Sequence, residues 1–304
     1  MRRSILCSIV LLVTLPALFA QDQTSRPRIT GIAEVDLYST NVEAAANFYT
    51  TIFDSENSSA GGCVWSDVSQ VANGAEANFH GFCSGQNLRL SKPPGMLPDT
   101  FLREIAFAVD DVKATKKYLE AKRIAIEKNS SEQYFAVTDP EGHRIGFFQS
   151  SPSAAPSSGH MRIIHAGFVV KDRASMDHFY KDILGFRPYW HGGMKDSDTD
   201  WVAMQVPDGT DWVEYMLNIS PTANKQTLGV MNHVSIGVKD IKVAAASLEK
   251  SRANMRADAS PKIGRDGKWQ FNLYDPDDTR VELMEFTPVE KPCCSEFTAP
   301  HPKP

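Results

Sequence analysis

Short strands in which apolar and polar positions alternate recur at four places along this chain. The four strands begin at Glu34, Glu104, His165 and His233. A turn containing an acidic or asparagine residue follows each of them, and then a segment with the apolar period of a helix, such as Val112 to Leu119 and Ile241 to Leu248. This order predicts four copies of one structural unit.

Each unit closes with further strand-like runs. Examples are Trp201 to Val206, Trp212 to Leu217 and Val281 to Phe286, and turns at Asp139 and Asp275 precede the last strand of units two and four. The pattern of one unit is therefore βαβββ. Because a unit of this size cannot bury both faces of its sheet, we expect the units to combine in pairs within each half of the chain.

Residues 151–160 separate the two halves. This stretch is rich in Ser, Pro and Ala and has no apolar periodicity, which is typical of a linker. The predicted organisation is a first domain over residues 28–150, a second domain over residues 161–288 and a tail over residues 289–304.

The first twenty residues have the composition of an export signal. Arg2 and Arg3 precede an apolar run from Ile5 to Leu15, and Ala17 to Ala20 is a stretch suited to cleavage. We therefore expect the mature protein to begin at Gln21 and to be periplasmic or extracellular. An uncleaved membrane anchor is the alternative, although the apolar run is short for a bilayer.

The composition is that of an ordinary globular protein. Hydrophobic residues make up 42% of the 304 residues and charged residues 23%, so the chain can bury two medium-sized cores. The net charge of −5 is spread over both halves, which argues against nucleic acid or an anionic membrane as a partner. A small molecule is the expected ligand, and the sequence does not fix the oligomeric state.

Four cysteines follow the signal segment. Cys63 and Cys83 could bridge neighbouring strands in an oxidising compartment. Cys293 and Cys294 stand in the Pro-rich tail near His301, where a metal site, a vicinal disulfide and free thiols are all open interpretations.

Two histidines and two glutamates occupy equal places in the third and fourth units. Glu214 follows His165 by 214 − 165 = 49 residues, and Glu282 follows His233 by 282 − 233 = 49 residues. In each unit the histidine opens the first strand and the glutamate lies in the last. Paired units related by a pseudo-twofold axis would bring the four side chains together.

This donor set predicts one divalent metal ion in the second domain. Two neutral imidazoles and two carboxylates suit zinc, nickel, cobalt, iron or manganese. Gly167 and Ser235 are small neighbours that would leave a hollow in front of the ligands. A lone His or Glu in a strand is usually an edge or surface residue, but four that match in type, place and spacing favour a metal site.

The same residues lie in motifs that resemble the vicinal-oxygen-chelate superfamily, which includes glyoxalase I, methylmalonyl-CoA epimerase, fosfomycin-resistance proteins and extradiol dioxygenases. The resemblance spans about residues 29 to 288. Its most specific pieces are His165 with Phe179-Tyr180 and Leu184-Gly185-Phe186, His233 with Val238-Lys239-Asp240, and the run from Asp275 to Leu283 that contains Glu282. It implies an α+β fold of two tandem domains, each with two paired βαβββ modules in a cupped, barrel-like mixed sheet that holds metal.

The resemblance also implies that the first domain has lost its metal site. The superfamily's ligand positions there hold Glu34, Glu104, Gly146 and a residue near Arg89 or Leu90. Gly146 has no donor and Leu90 cannot bind an ion.

A lyase or isomerase of the glyoxalase or epimerase kind is the activity that the resemblance favours, because all four ligand positions of the second domain are filled. The metal would bind a substrate's vicinal oxygens and stabilise an enediolate. Glu214 or Glu282 would leave the ion and move the proton as general base, with Glu214 as the first choice. Glutathione is mainly cytosolic, so export makes its adducts unfavourable substrates.

An extradiol-type ring-cleaving dioxygenase is one alternative. By resemblance it would use iron(II) on His165, His233 and Glu282. That family has an additional His and Tyr before the closing Asp-Pro turn, and this chain lacks them at the required spacing. His191, on another loop, could take over acid–base work, although a loop histidine is more often exposed and idle.

A non-catalytic small-molecule binding protein is the other alternative. Trp190, Trp201, Trp212, Phe168 and Tyr215 could wall a flat pocket for such a molecule or for a substrate, or they could belong to the core.

Overall fold

The structure is a computed structural model of the chain. It describes residues 25–54, 64–67, 79–83, 85–95, 98–150, 161–250 and 259–304. The predicted export signal, the linker at residues 151–160 and Cys63 lie outside these residues, as does the side chain of Cys83. Within the described ranges, no helix has both the length and the apolar character needed to cross a bilayer.

The first half forms a seven-stranded mixed sheet in the order β2-β3-β4-β1-β5-β7-β6, with two helices. Its elements are β1 (Ile29–Tyr38), α1 (Val42–Phe53), β2 (Val64–Asp67), β3 (Phe79–Cys83), β4 (Gln86–Ser91), β5 (Leu102–Val109), α2 (Val112–Ala121), β6 (Tyr134–Thr138) and β7 (Arg144–Gln149).

The second half forms an eight-stranded sheet in the order β13-β14-β15-β12-β8-β11-β10-β9. Its elements are β8 (Arg162–Val169), α3 (Arg173–Asp177) continued by a π-helical segment (His178–Ile183), β9 (Arg187–Gly192), β10 (Trp201–Gln205), β11 (Trp212–Met216), α4 (Lys225–Met231), β12 (His233–Val238), α5 (Ile241–Lys250), β13 (Lys262–Ile263), β14 (Trp269–Tyr274) and β15 (Arg280–Glu285).

The α+β class and the paired βαβββ units are confirmed, and one of the two sheets curls into a half-barrel. In both sheets the first strands of the paired units are antiparallel neighbours, and each also lies parallel to the last strand of its own unit. Unit two differs from the predicted pattern. Only β6 and β7 follow α2, and the third strand is reduced to a single bridge between Ile126 and Val137.

The polar residue in the turn after each first strand has a structural role. Asn41, Asp111, Asp172 and Asp240 each accept hydrogen bonds from backbone N–H groups at the start of the following helix. Those N–H groups have no partner within the helix, so the capping side chain fixes where each helix begins. The acidic or asparagine residue of the repeat is therefore a helix cap.

Two hydrogen-bonded contacts join the halves near the middle of the molecule. The buried Gln86 side chain donates to the carbonyl oxygens of Ile32 and Ile163 and accepts from the Ile163 amide, with distances of 2.7–2.9 Å. The Asp211 carboxylate accepts from the Ile32 amide at 2.9 Å. Backbone groups of β1 and β8 are thus satisfied by side chains from both halves.

Two further contacts are reciprocal. Tyr49 on α1 donates its hydroxyl to Asp275 at 3.3 Å, and Tyr180 in the segment after α3 donates to Asp139 at 3.2 Å. Each aspartate also accepts backbone N–H bonds within its own Asp-Pro turn. The turn that precedes the last strand of units two and four is therefore bonded to a helix of the opposite half.

The tail packs across the second half. Cys293 and Cys294 form a vicinal disulfide, which decides among the three interpretations of this pair. The Trp190 indole donates to the Cys293 carbonyl at 3.2 Å, and Phe297 packs beside Tyr189 and Trp190. The tail is therefore part of the apolar cluster on the sheet face opposite the helices.

Candidate metal centre

Four neighbouring strands of the second sheet carry the predicted ligands. His165 lies on β8 and His233 on β12, which are antiparallel neighbours. Glu214 lies on β11 beside β8, and Glu282 lies on β15 beside β12. Units three and four are thus related by a pseudo-twofold axis between β8 and β12, and the structure brings all four predicted side chains to one face of the sheet.

In the cross-strand register, a small residue lies between each histidine and a glutamate of the neighbouring unit. Gly167 stands between Glu214 and His233, and Ser235 stands between His165 and Glu282. A Cβ atom added at Gly167 would overlap the His233 ring. The long side chains on either side therefore meet above the small residue, as the sequence predicts.

The donor atoms approach each other closely. His165 Nε2 lies 3.1 Å from His233 Nε2 and 3.4 Å from Glu282 Oε2, and His233 Nε2 lies 3.4 Å from Glu214 Oε2. With metal–donor bonds of about 2.1 Å, neighbouring donors around a six- or four-coordinate ion are about 3.0 to 3.4 Å apart. These three contacts have the spacing of neighbouring donors around one ion.

The arrangement is not fully symmetric. His165, His233 and Glu282 each offer an atom within 4.8 Å of the other two, and Glu214 is outside this three-residue group. The Glu214 side chain also keeps 15% of its exposure, against 5% for Glu282. The first three residues thus form a compact donor set, with Glu214 at its open side.

The His233 ring is oriented by a backbone group. Its Nδ1 lies 3.2 Å from the Met231 carbonyl oxygen. A carbonyl only accepts, so Nδ1 carries the proton and Nε2 presents its lone pair to the donor set. The His165 ring stacks on Trp212 with a centroid distance of 4.6 Å, and its Nδ1 is buried without a hydrogen-bond partner.

Burial sets the charge state of the cluster. It lowers the pKa of both histidines well below the usual value, and the nearby Arg280 guanidinium acts in the same direction. Burial also raises the pKa of Glu214 and of Glu282 to about 7, although the positive charge of Arg280 opposes this. Neutral imidazoles are the form that binds metal, and a divalent ion would offset the cost of two buried carboxylates.

Two cations near the cluster were not predicted as site residues. The Arg280 guanidinium donates to His233 Nε2 at 2.8 Å. Lys268 is completely buried, and its Nζ has no hydrogen-bond partner and lies 4.6 Å from the Trp212 ring centroid. Arg280 could have been found from the sequence, because it shares a strand face with Glu282. Nothing in the local pattern marks Lys268.

Glu214, Glu282 and Arg280 line a cavity of about 380 Å³, which we call the cup. Trp190, Trp201 and Trp212 line the cup together with Tyr189 and the tail residue Phe297. Phe168 and Tyr215 instead belong to the core beneath the helices. Of the five aromatic residues considered from the sequence, three therefore form walls and two are core.

His191 is not part of the cup. It is exposed on β9, and its backbone pairs with the Ser295 side chain of the tail. None of the described residues that line the cup is a histidine.

Arginines occupy the corresponding region of the first half. The register of β1 and β4 pairs Arg89 with Asp36, as Glu214 pairs with Gly167, so Arg89 and not Leu90 is the fourth position. Both Arg89 and Arg103 form ion pairs with the buried Asp36, and Arg144 forms one with the buried Glu104. A Cβ atom at Gly146 would overlap the Glu104 carboxylate. Guanidinium groups here neutralise the carboxylates.

Both halves match models of one protein family. Residues 31–147 and residues 164–273 each match a family described as the Glyoxalase/Bleomycin resistance protein/Dioxygenase superfamily. No curated protein sequence matches the chain.

Solved structures with a similar fold include extradiol dioxygenases from Brevibacterium fuscum. A room-temperature structure of an extradiol ring-cleaving dioxygenase has a TM-score of 0.60 at 18% identity and covers 91% of this chain and 76% of that chain. Homoprotocatechuate 2,3-dioxygenase in complex with 3,4-dihydroxyphenylacetate has a TM-score of 0.56 at 19% identity, with 89% and 86% covered. At these identities the likeness concerns the fold alone.

The raised pKa of Glu282 gives a testable pH dependence in the metal-free protein. The folded state holds this proton up to about pH 7, whereas an unfolded glutamate releases it near pH 4.5. The resulting stabilisation is complete below pH 4.5 and is lost as the pH rises to about 7. Glutamine does not ionise, so Glu282→Gln does not lose this stabilisation. The melting temperature of the variant minus that of wild type is therefore expected to increase as the pH rises from 4.5 to about 7.

Thermal unfolding in the presence of a chelator, at several pH values from 4.5 to 8, measures this difference. Glu290→Gln changes an exposed glutamate of the tail and should follow wild type throughout. Parallel curves for Glu282→Gln and wild type would contradict the prediction.

Proposed function

Because the chain belongs to the Glyoxalase/Bleomycin resistance protein/Dioxygenase superfamily, we propose that its second half is a metal-dependent enzyme of the lyase or isomerase kind. Enzymes of this superfamily act on small molecules. The proposed substrate is a small molecule with two vicinal oxygens, and the proposed ligands of one divalent ion are His165, His233, Glu282 and Glu214.

The observation that carries this proposal is the position of Glu214. Its carboxylate reaches His233 Nε2 but lies outside the compact set of His165, His233 and Glu282, at the side open to the cup. Three residues suffice to hold an ion. Glu214 can therefore exchange between the ion and a substrate without dismantling the site.

A divalent ion bound here supplies a Lewis acid that stabilises negative charge on the substrate's vicinal oxygens. Glu214 would take the proton from the carbon that bears one of these oxygens and return it to the carbon that bears the other. The hydroxyl proton would pass from the first oxygen to the second, so that hydroxyl and carbonyl exchange places. In the ion-free protein burial raises the pKa of Glu214 to about 7, and a carboxylate near this value can both accept and return a proton near neutral pH. The walls of Trp190, Trp201 and Trp212 exclude water and orient a flat molecule.

An extradiol-type dioxygenase is the second candidate. The compact set of His165, His233 and Glu282 is the two-histidine, one-carboxylate face that suits iron(II), and this observation favours it. The described cup offers no third histidine for the acid–base step, and Glu214 fills a position that such an enzyme leaves open. We therefore place it second.

We also propose that the protein is exported, on the basis of the predicted signal at residues 1–20. The vicinal disulfide of Cys293 and Cys294 supports an oxidising compartment. Mass spectrometry of protein secreted by its host should find Gln21 as the first residue. A chain that retains Met1 would contradict export by cleavage.

The metal content and chemistry of the purified protein test the function. Residues 21–304, purified without added metal, are expected to carry one ion per chain, and His165→Ala is expected to lose it. Glu214→Gln should keep the ion and lose at least about 100-fold of the proton exchange from deuterated water into small 2-hydroxycarbonyl compounds.

The outcome separates the candidates. Nickel or zinc with proton exchange supports the isomerase or lyase. Iron with oxygen uptake in the presence of catechols would support the dioxygenase. Tight binding of such compounds without metal or turnover would support a binding protein.

Gly167→Ala tests the site without removing a ligand. The added methyl group overlaps the His233 ring and must displace it, so metal affinity is expected to fall by about 10-fold or more. Metal titration with a competing chelator measures the change. Gly146→Ala, a comparably crowded position in the first half, is the control and should leave metal affinity unaltered. Equal affinities in Gly167→Ala and wild type would contradict the proposed ligand set.

A further inference from the structure

Among the described residues, Arg280 has a single hydrogen-bond acceptor, and that acceptor is the proposed metal ligand His233. It lies at the start of β15, lines the cup and donates to His233 Nε2 at 2.8 Å. Its Nε is buried without a partner. Within the described chain, no ion pair within 4.0 Å is formed by this guanidinium, and its charge acts on Glu214 and Glu282 only at longer range.

The first half contains the counterpart of this arginine. Arg144 opens β7 as Arg280 opens β15, and the strand register pairs Arg144 with Glu104, the position equivalent to His233. Arg144 forms ion pairs with both Glu104 and Glu127. The same strand position therefore carries a guanidinium in both halves, and among the described residues only the first half places carboxylates at ion-pair distance from it.

A bound ion would remove the one acceptor that Arg280 has. His233 presents a single lone pair at Nε2, because its Nδ1 donates to the Met231 carbonyl. An ion that takes this lone pair leaves the guanidinium without an acceptor, in a cup where it is partly shielded from water. The two positive charges also repel each other at this range. An anion that contacts both resolves the conflict.

The side of the cluster opposite Arg280 is aromatic. Trp212 follows His165 by 212 − 165 = 47 residues, and Arg280 follows His233 by 280 − 233 = 47 residues. Trp212 is stacked on His165 where Arg280 is bonded to His233. The pseudo-twofold axis thus relates an aromatic side of the cup to a cationic side, and a flat anion fits between them.

We propose that Arg280 is a specificity-determining residue that binds an anionic oxygen of the chelating molecule. The substrate class is a small, flat molecule with vicinal oxygens, at least one of which is ionised when bound, either as a carboxylate beside a second oxygen or as a phenolate. This inference rests on the proposed function and goes beyond it, because a metal site alone would accept neutral vicinal oxygens.

Oxalate is the probe for the carboxylate source and 4-nitrocatechol for the phenolate source. Wild type, Arg280→Gln and Arg173→Gln are loaded with one equivalent of Zn²⁺, and binding is measured by isothermal titration calorimetry. Arg280→Gln is expected to lose about 10-fold to 100-fold in affinity for at least one probe, because a charge-assisted hydrogen bond is removed. Arg173→Gln, an exposed arginine outside the cup, should stay within about 2-fold of wild type. The probe that loses more affinity identifies the source.

Metal content is the second readout. Arg280→Gln should retain its zinc ion, since the change removes a positive charge beside the site. Loss of zinc in this variant would mean that Arg280 only positions His233, and it would overturn the inference. Affinities of Arg280→Gln within about 3-fold of wild type for both probes would also overturn it.

Arg280→Lys keeps the charge and guards against a misfolded glutamine variant. If both variants fold, Arg280→Lys should bind the preferred probe more tightly than Arg280→Gln. If Arg280→Gln does not fold, the affinity of Arg280→Lys is compared with wild type and should be close to it. A lysine variant that folds and holds zinc but has lost its affinity as fully as Arg280→Gln would contradict a role for the charge. A wild-type chain that takes up no zinc would instead overturn the proposed function. The probe comparison is then made in the ion-free protein, where Arg280 keeps its bond to His233 and a smaller loss in Arg280→Gln, of at least about 3-fold for one probe, is expected.

Discussion

The site of this protein depends on two small residues, above which the longer side chains of neighbouring strands can meet. Gly167 and Ser235 lie between the ligands in adjacent rows of one sheet, and the histidines and glutamates can meet only because these positions are nearly empty. Parallel pairing of each first strand with the last strand of its unit fixes both rows. A shift of one residue in any of these pairings would turn a ligand to the opposite face of the sheet. The hydrogen-bonded register is therefore as much a part of the site as the donor atoms.

The two halves share one fold but balance the charge of their buried carboxylates differently. In the first half, the buried carboxylates Asp36 and Glu104 form ion pairs with arginines of the same sheet, although burial still raises the pKa of Asp36 to about 6. In the second half, two buried carboxylates face neutral imidazoles, and burial raises their pKa to about 7. Buried carboxylates require a partner charge or a proton. The first half places arginines at ion-pair distance from its carboxylates. In the second half Arg280 and Lys268 act at longer range, and the pKa of both glutamates stays raised.

Much of this could be predicted from the sequence because the unit repeats. The equal spacing of 49 residues located all four side chains, and the polar residue after each first strand proved to be a helix cap. The fourth position of the first half stayed open between Arg89 and Leu90, because a register shift of one residue is invisible without the strand pairing. The reduced third strand of unit two and the burial of Lys268 could not be predicted either. Both depend on packing between segments that are distant in sequence.

The wall formed by the tail has a consequence for how the protein is made. Phe297 completes the cup, and the hydroxyl of Tyr189, more than a hundred residues earlier in the chain, bonds to His301. Synthesis must therefore have passed His301 before this cavity can close. Any loading with metal or capture of a small molecule in a closed cup follows the synthesis of this segment.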